Sequence, residues 1–438
     1  MSEWKHLKIG DLVNPEKHSC VGGPFGSNLI SEDYIDAPGI PVIRGNNFVL
    51  GSRYFYDKGF VFVSEEKADS LFQNTAYPGD LVFTQRGTIG NVALIPNDSK
   101  FPKYILSQNL MKLSVDSEKA DQRFICYYFL SPKVQQIITR NSVGSTIPGF
   151  NLTQLRDFPV SLPSLKEQTE IADILFGLDR KIENLRKQNE TLEAIAQTLF
   201  KHWFVDFEFL NEDGKPYKSS GGEMVRSELG EIPAGWRVGR LGEYIDIQHG
   251  YSFRSEDFSE EGNPVVRMGN FLNGGGLDFH QDKTKFFSGE INERFLLNHG
   301  DLVVALSDIT QNGIILGNPG FIPSDGKQYL LNQRVGKVKI QGTINKLYLY
   351  CLMKTTQYKS WLKNSANSTT VLNTSPSRIG ELLISLPPNL NLLNELQNTL
   401  SPLFKKIESN VFNIQTLTKT RDVLLPKLMS GKLRITAS

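Results

Sequence analysis

The strongest constraint on the fold of this 438-residue chain is an internal repeat at an offset of about 221 to 225 residues. Four short segments recur in the same order: 41–46 (PVIRGN) as 264–270 (PVVRMGN), 79–82 (GDLV) as 300–303, 106–108 (LSQ) as 331–333 (LNQ), and 161–163 (SLP) as 385–387. Collinear matches of this kind indicate that one structural unit occurs twice. The chain should therefore fold as two similar halves.

Each half predicts a β-rich domain of about 160 residues followed by a long helix. Short apolar runs between turn residues, such as 80–84 (DLVFT) and 301–305 (DLVVA), are typical of strands. The proline of each SLP ends the last strand, and a helical pattern of apolar residues follows. The boundaries that we expect are a first β-rich domain at 1–163, a first helix at 164–208, a linker at 209–232, a second β-rich domain at 233–387 and a second helix at 388–438.

Apolar residues recur every seven positions in both helices, which predicts that the helices form a coiled coil. The seam positions of the first helix are Ile171, Leu175, Leu178, Ile182, Leu185, Asn189, Leu192, Ala196 and Leu199. Those of the second helix are Leu396, Leu400, Leu403, Ile407, Asn410, Ile414, Leu417, Arg421 and Leu424. Asn189 and Asn410 either fix the register of the pair or lie at its solvated edge. The alternative is that each stripe is the ordinary core-facing side of an amphipathic helix.

The short polar linker favours an antiparallel pair of helices. An antiparallel pair brings the end of the first helix to the start of the second domain, whereas a parallel pair requires the linker to run back along the helices. The expected fold class is therefore α+β, with two tandem β-rich α/β domains separated by an antiparallel two-helix coiled coil of pseudo-two-fold symmetry. The seam from Ile171 to Leu199 covers 28 residues, which corresponds to a spacer of roughly 42 Å.

Two similar domains on such a spacer match the geometry needed to contact two DNA half-sites one helical turn apart, about 34 to 36 Å. Since the domains are not identical, the two half-sites should differ in sequence. The same architecture would also suit a scaffold that clamps two copies of a protein partner without binding DNA. An enzyme fused to its own recognition domains is disfavoured, because the repeats leave no room for a catalytic domain.

Three segments resemble those of a known family. They are 213–224 (DGKPYKSSGGEM) with its continuation to 241–242 (LG), the stretch 421–431 (RDVLLPKLMSG), and 78–90 (PGDLVFTQRGTIG). The first two are similar to the central and C-terminal conserved regions of type I restriction-modification specificity subunits (HsdS). The third is similar to a recurrent stretch of that family's target-recognition domains, and the resemblance covers nearly the whole chain.

The resemblance implies that the two β-rich domains are target-recognition domains, each of which reads one part of a split double-stranded DNA site, and that the helices fix the gap between the parts. It implies a non-catalytic subunit that recruits two modification (methyltransferase) subunits and, through them, restriction (translocase and endonuclease) subunits. No cofactor is expected on this chain, and S-adenosylmethionine, ATP and Mg are expected on the partner subunits.

The residue pattern is consistent with a chain that has no catalytic or metal site of its own. A phosphate-binding loop of the form GxxxxGK[ST] is missing, the six histidines lack metal-ligand spacing, and 386–389 (LPPN) lacks the flanking residues of an adenine-methylase motif. Cys20, Cys126 and Cys351 are far apart, which indicates a reducing compartment. Since no run of about 18 apolar residues occurs, we expect a cytoplasmic protein without membrane association.

DNA contacts would have to come from locally placed residues, since 48 Lys and Arg against 47 Asp and Glu give a net charge of only +1. Arg suits guanine, Asn and Gln suit adenine, and Ser and Thr are less selective. The candidates in the first domain are Arg44, Asn46, Asn47, Gln85, Arg86, Thr88, Ser145 and Thr146. Those in the second domain are Arg267, Asn270, Ser307, Asp308, Thr310, Gln311, Asn312, Ser368 and Thr369. Each could instead be a turn-forming residue, and Arg44 and Arg267 could be structural because they recur in both halves.

An aromatic cluster marks the end of the first helix. It consists of Phe200, Trp203, Phe204 and Phe207. These side chains either fill the junction with the second domain or form a docking face for the modification subunit.

Overall fold

The computed structural model describes residues 4–36, 38–48, 55–87, 89–141, 149–279, 283–310, 312–365 and 372–435. Its contacts divide the chain into two units, one formed by Met1–Glu183 with Gln415–Ser438 and the other by Asn184–Ile414. Each unit holds one β-rich domain and a part of each long helix. No helix in the described ranges has the length and apolar composition that crossing a lipid bilayer requires.

The first domain is built on two four-stranded sheets. Its elements are β1 (Lys5–Lys8), β2 (Cys20–Gly22), β3 (Ile40–Ile43), β4 (Val61–Val63), α1 (Glu65–Ser70), β5 (Thr75–Ala76), β6 (Leu81–Thr84), β7 (Val92–Leu94), β8 (Tyr104–Leu106), β9 (Leu110–Leu113), α2 (Gln122–Leu130), α3 (Pro132–Asn141), α4 (Leu152–Asp157) and β10 (Pro159–Leu162), followed by the long helix α5 (Leu165–Phe204). One sheet has the order β2-β9-β6-β7 and the other β4-β3-β8-β5, in which β3 and β8 are parallel. The antiparallel pair β1 and β10 joins the two ends of the domain.

The second domain repeats this arrangement. Its elements are β11 (Met224–Ser227), β12 (Gly230–Pro233), β13 (Arg237–Arg240), β14 (Ile245–His249), β15 (Asn263–Val266), β16 (Lys285–Phe287), β17 (Leu296–Leu297), β18 (Leu302–Ala305), β19 (Ser307–Asp308), β20 (Pro319–Phe321), β21 (Tyr329–Leu331), β22 (Val335–Ile340), α6 (Lys346–Leu352), α7 (Thr356–Ser365), β23 (Leu372–Asn373), α8 (Pro376–Gly380) and β24 (Leu383–Leu386), followed by the long helix α9 (Asn391–Met429). Its sheets have the orders β14-β22-β18-β20 and β16-β15-β21-β17, with β15 and β21 parallel. Here β13 pairs with β24, as β1 pairs with β10.

Residues of the recurring segments hold equivalent strands together in the two domains. Asp80, directly before β6, pairs with Lys112 of β9 at 3.0 Å, and both side chains are buried. Asp301, directly before β18, pairs with Lys337 of β22 at 2.6 Å. The GDLV repeat is therefore part of the frame that the two domains share.

The long helices run antiparallel, as predicted. In the first unit, Asp179 of α5 pairs with Arg421 of α9 at 2.8 Å. Nearer the start of α5, Glu167 pairs at 2.6 Å with Arg434, which lies beyond the end of α9. The earlier residue of α5 thus pairs with the later residue of the C-terminal segment, so the two helices run in opposite directions. The expected fold class, with two tandem domains of one topology and a pair of long helices, is confirmed.

The seam positions named from the sequence are buried or half-buried in both helices. The buried ones are Ile171, Leu175, Ile182, Leu185, Ala196, Leu396, Leu400 and Asn410, and the half-buried ones are Leu178, Asn189, Leu192, Leu199, Leu403, Ile407, Ile414, Leu417, Arg421 and Leu424. Asn410 donates from Nδ2 to Oδ1 of Asn189 at 2.8 Å. Asn410 is fully buried, so it faces Asn189 inside the pair rather than lying at a solvated edge.

The stretch expected to be a linker is folded against the second domain. Strands β11 and β12 form an antiparallel hairpin within it. Phe209 stacks on Tyr217 and on Trp236, with ring centroids 4.8 and 5.5 Å apart. The aromatic cluster at the end of α5 also belongs to this core, which contains Phe200, Trp203, Phe204 and Phe207 as buried side chains. These four residues fill the junction and are not available as a docking face.

Candidate nucleic-acid interface

A cavity of about 630 Å³ in the first domain brings together polar residues from separate parts of the sequence. Its polar lining includes Glu32, Arg44, Arg86, Asn91, Gln108 and Asn109. The pairing of β3 with β8 explains part of this arrangement, because parallel strands end at the same edge of a sheet. The residues that follow them, Arg44 and Ser107, meet there, and the Ser107 N–H donates to the Ile43 carbonyl at 3.0 Å.

Arg44 is held at the cavity by the turn that follows β3. Asn47 is fully buried; its Oδ1 accepts the Arg44 N–H at 2.9 Å, and its Nδ2 donates to the carbonyl of Tyr56 at 3.0 Å. The Arg44 side chain is half-buried, and its Nε has no hydrogen-bond partner among the described residues. A buried donor without an acceptor costs about 1 to 3 kcal/mol, which a ligand acceptor would recover.

Arg86 enters the same cavity from the loop after β6, and its side chain is exposed. The loop is anchored at Gln85, the residue before Arg86. The N–H of Gln85 donates to the carbonyl of Asn109 at 2.7 Å, and the carbonyl of Gln85 accepts the N–H of Phe150 at 3.1 Å. The two guanidinium groups outnumber the one carboxylate of the lining, that of Glu32, so the surface is cationic and suits phosphate oxygens and the O6 and N7 acceptors of guanine.

The corresponding loop of the second domain has different chemistry. Asp308 is fully buried, and its Oδ1 accepts the backbone N–H and the hydroxyl of Thr310 at 2.7 and 2.8 Å. Its Oδ2 accepts the N–H of Ile315 at 2.6 Å. These three bonds close a loop whose exposed residues include Thr310 and Asn312. The charged residue of this loop therefore organises the backbone, whereas Arg86 presents its charge to solvent.

Lys359 supports the Asp308 loop from α7. Its Nζ donates to the Leu316 carbonyl at 2.7 Å and also bonds to Oδ1 of Asn318. Burial, together with the nearby charge of Lys354, lowers the pKa of Lys359 to about 7. The amine and its two acceptors thus tie the end of this loop to a helix.

Arg267 occupies the position that corresponds to Arg44. Asn270 is fully buried; its Oδ1 accepts the Arg267 N–H at 2.9 Å and its Nδ2 donates to the Asp278 carbonyl at 3.0 Å. The turn after β15 is therefore built like the turn after β3. The Arg267 guanidinium lies over the ring of Phe258, 5.0 Å from its centroid. This contact fixes the direction of the Arg267 side chain within its own domain.

The structure divides the sequence candidates into three groups. Arg44, Asn46, Gln85, Arg86, Arg267, Thr310 and Asn312 are exposed or half-buried. Asn47, Asn270, Ser307 and Asp308 are buried, because they hold turns or pair in a strand, and they are not available to a base. Thr88, Ser145, Thr146, Gln311, Ser368 and Thr369 lie outside the described residues.

Sequence reasoning missed several polar residues of the cavity. Four of them are Glu32, Asn91, Gln108 and Asn109. A signal for Gln108 was present, because 106–108 is one of the recurring segments and follows a predicted strand. The other three have no repeated counterpart among the matched segments, so only the tertiary structure brings them to this site.

Comparison with known proteins identifies the family of this chain. Residues 1–194 and 233–418 each match the sequence model of the family described as "Type I restriction modification DNA specificity domain". The chain belongs to this family. The resemblance inferred from the sequence is thereby confirmed, together with a role in DNA sequence specificity.

Individual relatives of the DNA specificity family match over most of their length. The chain is 27% identical to the "Type I restriction enzyme MjaIX specificity subunit" of Methanocaldococcus jannaschii, over 99% of this chain and 94% of that protein. It is 21% identical to the "Type I restriction enzyme HindI specificity subunit" of Haemophilus influenzae, over 99% of this chain and 100% of that protein. The crystal structure of a type I restriction-modification S subunit from M. genitalium shares the fold, with a TM-score of 0.55 and 18% identity over 99% of this chain and 97% of that one.

Proposed function

We propose that this chain is the subunit that gives a type I restriction-modification complex its DNA sequence specificity, with each domain reading one part of a bipartite site. The observation that carries the proposal is a shared frame with different loops. The buried residues Asn47 and Asn270 each hold the equivalent turn of their domain through a hydrogen bond to a backbone N–H. In contrast, the loop with the exposed Arg86 differs from the loop organised by Asp308. Two readers with one frame and different loops suit two unlike half-sites.

In this proposal the first half-site is contacted by guanidinium groups. Arg44 and Arg86 line one cavity, and a bidentate contact of Arg86, which has no counterpart in the second domain, with guanine would contribute about 1 to 3 kcal/mol of discrimination. The second half-site is contacted by neutral groups, including the exposed Thr310 and Asn312. Neither β-rich domain has an excess of basic residues, so we expect phosphate attraction to depend on where the basic side chains lie.

We further propose that the helices α5 and α9 set the gap between the half-sites and bind two modification subunits. Catalysis then belongs to those partners, which hold S-adenosylmethionine for adenine methylation, and to restriction subunits that hold ATP and Mg. This chain would work with them in the cytoplasm without a cofactor of its own. The exposed faces of the two helices are open to such partners in the described residues, for example at Ile195 and Val423, which are about half exposed.

The test is a binding series with the complex of this chain and its modification subunit. Adenine methylation is first mapped in cells that express the complex, which yields the candidate bipartite sequence. Labelled duplexes with both half-sites, with either half-site scrambled, or with a changed gap are then titrated. We expect selective binding only when both half-sites and the gap are intact. Equal affinity for all duplexes would contradict the proposal and favour a scaffold that clamps protein partners.

Arg86→Ala identifies the domain responsible for one half-site. Loss of a base contact should cost about 1 to 3 kcal/mol of binding free energy and relax selectivity in one half-site only. The matched control is Arg140→Ala, which removes an exposed arginine of the same domain at the end of α3. A uniform loss of affinity on all sequences would assign Arg86 to a phosphate instead of a base.

A further inference from the structure

Phe25 is the most exposed of the large apolar side chains in the described residues, with 86% of its surface open to solvent. It lies in the loop 23–30, between β2 and the short turn Ser31–Asp33. An exposed aromatic ring adds nothing to the core, and burying such a side chain is favourable by about 1.5 to 3 kcal/mol. The ring is therefore available to a partner surface.

The loop that carries Phe25 is held in place by its neighbours. A Cβ atom on Gly23 would collide with the carbonyl oxygen of Ser107, so the base of the loop packs directly on that strand end. Gln108 donates from Nε2 to the carbonyl oxygens of Gly26 and Leu29 at 2.6 and 2.7 Å. The ring thus projects from an anchored loop.

The same loop borders the cavity with the two guanidinium groups. Leu29 and Gln108, which belong to or hold this loop, line the cavity together with Arg44 and Arg86. An exposed apolar ring on a loop that borders a cavity with two guanidinium groups is complementary to DNA, whose phosphates attract the arginines and whose bases offer π-faces for stacking. The charge of this surface favours a nucleic acid over an apolar protein surface as the partner.

The projecting ring is specific to the first domain. Gly23 and Gly250 correspond, because a Cβ on Gly250 would likewise collide with the carbonyl of Asn332. Leu29 and Phe253 also correspond. Each side chain is buried, and each residue stands two positions before the serine of a Ser-Glu-Asp turn. Five residues lie between Gly23 and Leu29, and two lie between Gly250 and Phe253. The loop of the first domain is therefore three residues longer.

In the second domain the aromatic residue of this loop is packed on its own domain. Tyr251 contacts the rings of Phe253 and Phe295 edge-on, with centroids 4.9 and 5.5 Å apart. It is 41% exposed, about half the value of Phe25. A ring held in this way is not available for insertion between bases.

We infer that Phe25 is a wedge residue, whose ring stacks into a base step of the first half-site while Arg44 and Arg86 hold the DNA beside it. This inference rests on the proposed function and extends it to the way one half-site is deformed. Insertion of an apolar side chain partly unstacks a base step and kinks the duplex. Pyrimidine–purine steps are the easiest to deform, so the step of the first half-site that receives the ring should be of this type. The second half-site should show no such kink.

The test compares Phe25→Ala with Phe72→Ala in the complex of this chain with its modification subunit. Phe72 is a matched control, because it is a 60% exposed phenylalanine of the same domain that contacts the ring of His18 and lies outside the loop 23–30. Affinity is measured by fluorescence anisotropy on the bipartite duplex. We expect Phe25→Ala to weaken binding by about tenfold, equivalent to about 1.4 kcal/mol, and Phe72→Ala to change it by less than about twofold. Phe25→Trp should restore most of the affinity.

A second measurement reports the base step directly. Duplexes carry 2-aminopurine in place of one adenine at a time in each half-site, and its emission rises when the base is unstacked. Apart from the target adenines, which a methyltransferase flips out of the stack, the unmodified complex should raise the emission at one position in the first half-site, and Phe25→Ala should abolish that rise. Equal affinity and equal emission for Phe25→Ala and the unmodified chain, while site selectivity persists, would overturn the wedge but leave the proposed function intact.

Two further outcomes also overturn the inference. If Phe25→Ala no longer assembles with the modification subunit while Phe72→Ala does, the ring contacts a protein. If the unmodified complex shows no preference for the bipartite duplex, both the proposed function and the role of Phe25 as a wedge residue are refuted.

Discussion

The Asp308 loop offers the most direct way to separate the two half-sites experimentally. Asp308 is fully buried and accepts three hydrogen bonds, two from Thr310 and one from the N–H of Ile315. Asp308→Ala removes all three acceptors at once. The loop 308–315 should then open, because no other hydrogen bond among the described residues joins Thr310 to the start of the loop.

The expected loss of stability follows from the exposure of the donors. Thr310 is exposed, so water can replace the two bonds that it makes, whereas Ile315 is half-buried and its N–H loses its carboxylate acceptor. A bond to a charged acceptor contributes about 1.5 to 3 kcal/mol, and an unpaired buried donor costs about 1 to 3 kcal/mol. We expect the free energy of unfolding of the second unit to fall by about 2 to 4 kcal/mol.

Hydrogen exchange and DNA binding measure the two consequences. The amides of Thr310 and Ile315 should exchange faster in Asp308→Ala, and selectivity at one half-site should relax while the half-site affected by Arg86→Ala stays selective. Asp246→Ala is the control, since it removes an exposed aspartate of β14 in the same domain. Unchanged exchange at Thr310 and Ile315, together with unchanged selectivity, would refute the argument that Asp308 organises this loop.

Two further predictions concern the second unit. Asn410→Leu should raise the free energy of unfolding of the second unit by about 1 kcal/mol in chemical denaturation. The reason is that the buried Oδ1 of Asn410 has no partner among the described residues. A decrease would show that the hydrogen bond to Asn189 outweighs that cost. Burial lowers the pKa of Lys359 from 10.5 to about 7, so the unfolded chain binds more protons between these values and stability should rise as pH increases from about 7 towards 10. Lys359→Met should flatten this rise in denaturation curves at pH 7 and 9; an equally steep rise in the variant would assign the effect to other groups.

The recurring segments turned out to be the structural part of the repeat. Asp80 and Asp301 each pair with a lysine of the neighbouring strand, and Asn47 and Asn270 each brace a turn through backbone groups. A residue that recurs in two readers of different sequences cannot account for the difference between them. The residues suited to selective contact are therefore found in loops where the two halves differ, as at Arg86 and Phe25.

The sequence alone determined the duplicated architecture, the two long helices and the family. These properties depend on patterns that are local or periodic: the seven-residue spacing of apolar residues needs only the geometry of a helix, and the repeat needs only the order of matching segments. The antiparallel direction also followed from the sequence, because the length of a connecting segment limits where the next element can begin.

Only the tertiary structure decided which polar side chains reach solvent. Asn46 and Asn47 are neighbours of the same type in one turn, yet the first is exposed and the second is fully buried on the carbonyls of Tyr56 and Lys58. Likewise, Gln108 holds a loop that lies about 80 residues earlier in the chain. Burial of a polar group depends on acceptors supplied by distant segments, and the positions of those acceptors exist only once the chain has folded.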